Sequence, residues 1–207
     1  GPQIDEAART ALLRCLEQRA PGHDAVVVAG SLPRGISAEW FRQLLEQLKA
    51  QGLKVALDSS GEALRAGLQS VPWLVKPNTE ELGEVLGLAV HSAAEQRAAA
   101  QRLLATGVEH VVVSAGEQGV SWFAPGHALH ARPPKVRVAS TVGAGDSLVA
   151  GMVHGLLLAE APAQTLRRAT AIAAQAVTQV GFGIRDREQL ARFEAAVHLA
   201  EQQEGCR

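Results

Sequence analysis

The feature that most constrains the fold of this chain is a repeated alternation of short apolar runs with longer amphipathic segments. Ala25–Ala29 is a continuous apolar run that ends at Gly30, and comparable runs cover 54–58, 71–76 and 110–114. Runs of this length suit strands that are buried on both faces, as in a parallel sheet. Because a helical pattern separates each run from the next, the sequence predicts an α/β fold with helices covering a parallel sheet.

Turn and capping residues divide the rest of the chain. Ser37 is a predicted N-cap, Gly52 a predicted helix end, and Pro125-Gly126 a predicted hairpin turn. The predicted helices are 5–18, 37–51, 61–69, 78–86, 93–105, 146–160, 163–180 and 186–202. The predicted strands are 25–29, 54–58, 71–76, 110–114, 120–124, 128–131 and 136–139. Since no linker composition interrupts the pattern, residues 1–207 are expected to form a single domain.

The charge balance and the cysteines exclude several classes of protein. The 207 residues carry 20 Lys and Arg against 21 Asp and Glu, for a net charge of −1. Near neutrality argues against a nucleic-acid protein held by phosphate contacts. No stretch reaches the roughly 18–20 apolar residues that span a bilayer, and no signal peptide is recognised, so no membrane partner is expected. Cys15 and Cys206 lack a CxxC pattern, which favours a reduced, cytoplasmic protein.

Small and polar segments follow the predicted strands. Ligands of open parallel sheets bind at the carboxyl ends of the strands, so these segments are the candidate binding site. The segments are 30–35, 58–61, 76–81, 114–119 and 140–146.

Gly143-Ala144-Gly145-Asp146 is the most informative of these segments because it leads directly into a predicted helix. Small residues let the main chain approach a ligand, and unpaired N–H groups at a helix N-terminus favour an anion. Asp146 either caps the helix after a glycine turn or faces the bound anion, and the spacing alone leaves both interpretations open. The segment is not a Walker A loop, since no Gly-Lys-Ser/Thr follows.

Two other segments carry weaker patterns. The 114–119 loop, with glycine at its third and sixth positions, is either a phosphate-binding loop or a tight turn between two strands. Asn78 is a candidate N-cap. Glu80 and Glu81 either favour the helix dipole or reach a divalent metal ion through water. The seven histidines lack metal-ligand spacing and are interpreted as structural or solvated.

Taken together, these segments resemble motifs of the ribokinase/PfkB family of sugar kinases. The matching motifs are Gly30-Ser31-Leu32-Pro33-x-Gly35, Asp58-Ser59-Ser60-Gly61-Glu62-Ala63-Leu64, Val75-Lys76-Pro77-Asn78-x-x-Glu81 and Ser140-Thr141-Val142-Gly143-Ala144-Gly145-Asp146-Ser147. The first two resemble the phosphosugar kinase branch, and the tail from Ala169 to Arg187 is most similar to its members that act on fructose 1-phosphate. The resemblance implies a ribokinase-like three-layer α/β/α fold with a mainly parallel central sheet.

The resemblance also implies an enzyme that transfers phosphate from ATP to an alcohol group. Asp146 is then the expected catalytic base, and the N–H groups of Gly143, Ala144 and Gly145 are the expected anion hole. The residues implied to bind ATP are Asn78, Ser114, Ala115, Gly116, Glu117, Gln118, Gly119, Gly145, Thr170 and Ala174.

Further ligand sites are implied by the same resemblance. Asn78 and Glu81 would organise Mg²⁺, Glu81 through water, and Lys76 would add positive charge nearby. Ser31 and Arg34 would bind the phosphate of the sugar substrate. A monovalent cation such as K⁺ would be held by main-chain carbonyls at Ser140, Val142, Ala176, Gln179 and Gly181.

The resemblance covers the carboxyl two thirds of such a kinase. The amino-terminal strands and the lid sheet, through which a full-length parent would form a homodimer, are expected to be missing. The expected reaction converts fructose 1-phosphate to fructose 1,6-bisphosphate, and this segment alone is expected to be inactive. The alternatives are a tagatose-6-phosphate kinase, a 6-phosphofructokinase of the same family, or a non-catalytic nucleotide-binding remnant.

Overall fold

The structure is a computed structural model, and it describes residues 3–201. Its helices are α1 Glu6–Arg19, α2 Ala38–Ala50, α3 Gly61–Gln69, α4 Thr79–Leu86, α5 Ala93–Ala105, α6 Ala144–Leu157, α7 Pro162–Ala176 and α8 Arg187–Ala196. Its strands are β1 Ala25–Ala29, β2 Lys54–Asp58, β3 Leu74–Val75, β4 His110–Ser114, β5 Val120–Ala124, β6 His127–Arg132 and β7 His198–Glu201. No helix among the described residues is long and apolar enough to cross a membrane.

The strands lie side by side in one sheet, in the order in which they occur along the chain. β1 to β4 pair in parallel, and β5 to β7 continue the sheet as an antiparallel edge. The apolar runs that define β1, β2 and β4 have the predicted bounds. The prediction of an α/β fold is therefore confirmed, with four parallel strands among the seven described.

The helices cover both faces of the sheet, which confirms the three-layer arrangement. Parallel strands that follow one another in a single direction place right-handed crossover helices on one face. On that face, Leu45 of α2, Leu64 of α3 and Leu103 of α5 pack in one buried core. On the opposite face, Met152 of α6 and Leu166 of α7 pack in a second core. The sheet is thus buried between two helical layers.

Two predicted elements are wrong. Residues 136–139 form no strand, because Pro133 and Pro134 precede them without donor N–H groups and the N–H of Ala139 donates to the Val177 carbonyl at 2.7 Å. The predicted helix 186–202 ends at Ala196, since Val197 is extended and His198–Glu201 pairs antiparallel with β6.

Several other elements begin or end at residues different from those predicted. β3 is shorter than 71–76 because Val71 has a φ of 51° and the following Pro72 has no N–H to donate. α6 begins at Ala144 rather than 146, since Gly143 acts as its N-cap with a φ of 80°. α7 ends at Ala176 rather than 180.

Candidate active site

The loops that follow the parallel strands meet at the carboxyl edge of the sheet and are joined by main-chain hydrogen bonds. Gly30 N–H donates to the Asp58 carbonyl at 2.9 Å, and Lys76 N–H donates to the Leu57 carbonyl at 3.0 Å. Ser114 N–H donates to the Pro77 carbonyl at 3.1 Å. These bonds hold four of the five predicted binding segments at one edge.

The fifth segment, the 140–146 turn, ends at the start of α6. Gly143 adopts the left-handed conformation that glycine favours, and Ser147 N–H donates to its carbonyl at 2.9 Å. Asp146 lies in the first turn of the helix and is exposed. The first N–H groups of a helix have no intrahelical acceptors and carry the positive end of its dipole. This turn therefore offers main-chain donors and a solvent-facing carboxylate within four residues.

A buried ion pair lies directly against this turn. Lys76 Nζ is 3.0 Å from Asp58 Oδ1, and the two side chains are 7% and 16% exposed. A Cβ atom on Gly145 would lie 3.3 Å from Asp58 Oδ2 and 3.5 Å from Lys76 Nζ. The absence of a side chain at Gly145 thus lets the helix N-terminus approach both charges.

Asp58 carries the clearest electrostatic perturbation of this edge. Burial raises the pKa of its carboxyl above the usual value, while the Lys76 ammonium opposes that shift. The carboxylates of Glu81 and Asp146 also raise the pKa of Asp58. Asp58 therefore lies within electrostatic range of Lys76, Glu81 and Asp146. Sequence reasoning gave expected roles to Lys76, Glu81 and Asp146, but it named Asp58 only as part of the 58–61 segment and gave its side chain no role.

Asn78 and Glu81 form a capping box at the start of α4. Asn78 Oδ1 accepts from Glu81 N–H at 2.8 Å, and Glu81 Oε2 accepts from Asn78 N–H at 2.8 Å. The structural interpretation of these residues is thereby confirmed. A carboxylate has a second oxygen, and Oε1 of Glu81 can accept from a water molecule. The pair therefore fits a magnesium ion that keeps its own water ligands and takes few ligands from the protein.

The 114–119 loop is a tight turn, as one of its two interpretations predicts. A short 3₁₀ turn covers Gly116–Gln118, and Ala115 N–H donates to the Gly119 carbonyl at 2.9 Å. Gly119 has a φ of 112°, and a Cβ there would lie 2.2 Å from the Ala131 carbonyl oxygen. Ser114 pairs with Asn78 in an isolated parallel bridge. The loop therefore lies beside α4, and its contact with a nucleotide stays a prediction.

The predicted phosphate ligands Ser31 and Arg34 are exposed in the 30–35 loop. Ser59 Oγ donates to the Gly30 carbonyl at the base of this loop. The Arg34 carbonyl accepts from Ile4 N–H at 2.8 Å, which ties the loop to the beginning of the described chain. Ser31 thus lies next to the end of β1, while the main chain of Arg34 pairs with the residues that precede α1.

Three of the five residues predicted to hold a monovalent cation line one cleft at the start of α6. A cleft of about 570 Å³ is lined by Val142, Ala176 and Gly181 as well as by Gly143 and Asp146. Two other members lie in hydrogen-bonded loops. Ser140 N–H donates to the Val177 carbonyl at 3.2 Å, and Gln179 Nε2 donates to the Gly183 carbonyl at 2.8 Å.

Thr170 and Ala174, predicted to line an adenine pocket, are buried on α7. The hydroxyl of Thr170 has no hydrogen-bond partner among the described residues. The structure does not bring these two residues to the cleft that contains Asp146. Their contact with a nucleotide stays a prediction.

Comparison with known proteins places this geometry in a family. The sequence model of the pfkB family carbohydrate kinases matches residues 3–188. The chain is 44% identical to a 1-phosphofructokinase of Vibrio cholerae over 97% of this chain and 63% of that protein. It is 47% identical to the 1-phosphofructokinase of Escherichia coli over 85% of this chain and 56% of that protein. The chain thus spans about three fifths of the length of these relatives.

A solved structure agrees with the sequence comparison. Phosphofructokinase-2 from Escherichia coli, in complex with substrates and products, superposes with a TM-score of 0.82 and 31% identity. The superposition covers 95% of this chain and 64% of that one. The resemblance inferred from the motifs is confirmed, and the chain belongs to the pfkB family of carbohydrate kinases.

Proposed function

We propose that the protein transfers the γ-phosphoryl group of ATP to an alcohol group of a phosphosugar, converting fructose 1-phosphate to fructose 1,6-bisphosphate. The observation that carries the proposal is the glycine turn at the start of α6, with Asp146 exposed in it and the Asp58–Lys76 pair against it. The relatives named 1-phosphofructokinase support fructose 1-phosphate as the substrate.

In the proposed reaction, Asp146 orients the sugar hydroxyl and takes its proton as the oxygen attacks the γ-phosphorus. The bond from phosphorus to the bridging oxygen breaks, and ADP leaves with that oxygen. General-base help is typically worth about 10²–10⁴-fold in rate. In a loose transition state the position of the carboxylate matters more than its basicity, so the placement of Asp146 at the start of α6 is what the reaction requires.

The charge that develops on the transferred group would be stabilised by the chain itself. The N–H groups of Gly143, Ala144 and Gly145 would supply the donors at the helix N-terminus, and that of Ala144, which donates to the Thr141 carbonyl at 3.3 Å in this structure, would have to exchange that acceptor for the phosphoryl group. Lys76 supplies a positive charge near Gly145 and is held there by Asp58. Such preorganised groups cost no reorganisation when the phosphoryl group moves.

We assign Asn78 and Glu81 to a magnesium ion, which supplies charge neutralisation on the ATP phosphates when bound. The carbonyls of Ser140, Val142, Ala176, Gln179 and Gly181 are assigned to a monovalent cation. A structure of Escherichia coli phosphofructokinase-2 in complex with potassium supports this second assignment.

The proposal also covers the residues that contact the sugar phosphate, the self-association of the protein and its cellular location. Ser31 and Arg34 are assigned to the phosphate of the sugar. We further propose that the protein self-associates, as one structure of Escherichia coli phosphofructokinase-2 is described as tetrameric. We place it in the cytoplasm, where ATP and sugar phosphates meet.

The test combines nucleotide binding with turnover. MgATP binding is measured by calorimetry on the 207-residue chain. Turnover is measured by a coupled assay on the same chain and on a chimera that joins it to the amino-terminal part of the Escherichia coli 1-phosphofructokinase. We expect binding by the chain and phosphorylation of fructose 1-phosphate by the chimera. If the chimera phosphorylates fructose 6-phosphate or tagatose 6-phosphate faster than fructose 1-phosphate, the proposed substrate is wrong. If MgATP binds but no sugar is phosphorylated, a nucleotide-binding role is favoured.

A further inference from the structure

An arginine side chain lies against the main chain of one residue assigned to a monovalent cation. The guanidinium of Arg185 packs on Gly181 so closely that a Cβ atom on this glycine would stand 2.3 Å from Nη2 and 3.3 Å from Cζ. Gly181 also has a φ of 107°, a conformation that favours glycine. The lack of a side chain at Gly181 therefore lets a positive charge of the protein reach the main chain of the proposed cation site.

No ion pair neutralises this charge among residues 3–201. Every ion pair of that part of the chain joins other side chains, and none includes Arg185. The carboxylate of the next residue, Asp186, accepts from Gln189 N–H at 2.8 Å and caps α8. The guanidinium therefore presents an uncompensated charge to the main chain of Gly181.

The loop that carries Gly181 is held in place from two sides. Gln179 Nε2 donates to the Gly183 carbonyl at 2.8 Å, which closes the loop on itself. The ring of Phe182 lies on the glycine turn, 3.8 Å from where a Cβ of Gly143 would stand. The loop that positions the guanidinium thus contacts the turn whose N–H groups are proposed to bind the transferred phosphoryl group.

Electrostatics determines how this charge acts on a cation and on an anion. A Cβ lies about 3 Å from the carbonyl oxygen of its own residue, so Arg185 Nη2 is within about 6 Å of the Gly181 oxygen. At such a distance, in the partly solvated surroundings of a loop, repulsion between two unit charges weakens cation binding about tenfold. The same charge attracts the phosphates of a nucleotide, as a monovalent cation in this site would.

We propose that Arg185 supplies part of the positive charge that a monovalent cation would otherwise supply beside Gly181. This chain then binds K⁺ weakly, and its affinity for MgATP depends little on K⁺. The inference rests on the proposed function, which assigns the main-chain carbonyls to a cation and the neighbouring turn to the nucleotide phosphates.

The experiment compares three variants with the wild-type chain. Arg185→Gln removes the charge, and Arg185→Lys keeps it. Arg192→Gln is the matched control, because it removes the same charge from an exposed side chain further along α8. Binding of thallium(I), which stands in for K⁺, is followed by thallium NMR. MgATP affinity is measured by calorimetry in potassium chloride and in choline chloride of equal ionic strength.

We expect thallium(I) to bind Arg185→Gln about tenfold more tightly than the wild type, while Arg185→Lys and Arg192→Gln resemble the wild type. The MgATP affinity of the wild type should differ less than about twofold between the two salts, whereas that of Arg185→Gln should fall about tenfold in choline chloride. An unchanged thallium affinity in Arg185→Gln, an equal gain in Arg192→Gln, or a wild type that needs K⁺ as much as Arg185→Gln does would overturn the inference.

The two proposals fail separately. If neither the wild type nor any variant binds thallium(I), the inference about Arg185 is wrong, while MgATP binding by the wild type still supports the proposed function. If the wild type binds no MgATP, the proposed function fails, and the part of the inference that concerns MgATP fails with it. A tighter thallium site in Arg185→Gln would then still support the opposition between Arg185 and a cation.

Discussion

The two edges of the parallel sheet hold polar groups in opposite ways. At the carboxyl edge, Asp58 and Lys76 form an ion pair with 3.0 Å between oxygen and nitrogen, next to the exposed side chain of Asp146. At the amino edge, Trp73 and His110 pack edge to face with 5.3 Å between ring centroids. Charged side chains pair just beyond the strand ends at the carboxyl edge, whereas aromatic rings pack beside the strand ends at the amino edge.

The rings at the amino edge form a ladder that runs from Trp73, just before β3, to His110 of β4, Trp122 of β5 and His127 of β6. Burial lowers the pKa of His110 to about 4, and the positive charges of His127 and Lys54 add to this effect. His110 is therefore neutral at pH 7. The comparison teaches that the buried ion pair lies at the edge where glycine turns leave room for an anion, whereas the buried side chains of the other edge are aromatic rings.

Replacing Asp146 with Asn should produce the largest effect at the carboxyl edge. The proposed base would be lost while the turn and its N–H groups remain, so turnover of the chimera should fall by about 10²–10⁴-fold. MgATP affinity should change only a few-fold. Asp186→Asn, which alters a helix cap elsewhere, serves as the control. Turnover within tenfold of the wild type would remove Asp146 as the base.

Breaking the ion pair should cost stability. Lys76→Met leaves Asp58 buried without its partner, and a fully buried pair broken in this way costs about 3–5 kcal/mol. We expect about 2 kcal/mol in urea unfolding at pH 7, since Asp58 keeps some contact with water. The double variant Asp58→Asn/Lys76→Met should recover most of the loss. A double variant no more stable than Lys76→Met would show that the loss is not electrostatic.

The amino edge predicts a pH dependence of stability. Because the pKa of His110 is about 4 in the folded chain and about 6.5 when unfolded, the unfolded state binds more protons between these values. The free energy of unfolding should therefore fall as the pH drops from 6.5 to 4, and level off above 6.5. One proton gives a slope of at most about 1.4 kcal/mol per pH unit. In His110→Gln the free energy of unfolding should depend less on pH than in the wild type. If the two plots of this free energy against pH are parallel, His110 is not the source of the pH dependence.

The smallest expected effect comes from Lys54, whose ammonium lies 5.0 Å from the centroid of the Trp73 ring. Lys54→Met should cost about 0.5–1 kcal/mol of stability. It should also raise the pKa of His110, because one of the positive charges that lower it is gone. Proton NMR titration measures the shift, with Lys135→Met as an exposed control. If the pKa of His110 is the same in Lys54→Met as in the wild type, the charge of Lys54 does not act on His110.

Sequence reasoning succeeded where local pattern determines the structure. The apolar runs of β1, β2 and β4 are bounded by turn residues and have the predicted limits. Asn78 and Glu81 follow a local capping pattern that the structure reproduces. These features depend on neighbours within a few residues, so a single sequence contains them.

It failed where a distant partner determines the structure. β7 continues a helical pattern in sequence, but its pairing with β6 makes it a strand. The Asp58–Lys76 pair requires β2 and β3 to be neighbours, and the contact between Ser121 and His130 requires the register of β5 and β6. The family resemblance predicted a functional role for the turn around Asp146. No local pattern in the sequence predicted which side chain pairs with Asp58.

The central claim is that nucleotide phosphates bind at the carboxyl edge and not at the amino edge. Nitrogen–proton NMR spectra of the 207-residue chain, recorded during titration with MgATP, test it directly. We predict shifts in the amides of 143–146, of Lys76 and Asn78, and of 114–119, with the indole signals of Trp73 and Trp122 unchanged. Shifts centred on the two tryptophans, or no shifts at any concentration, would contradict the account.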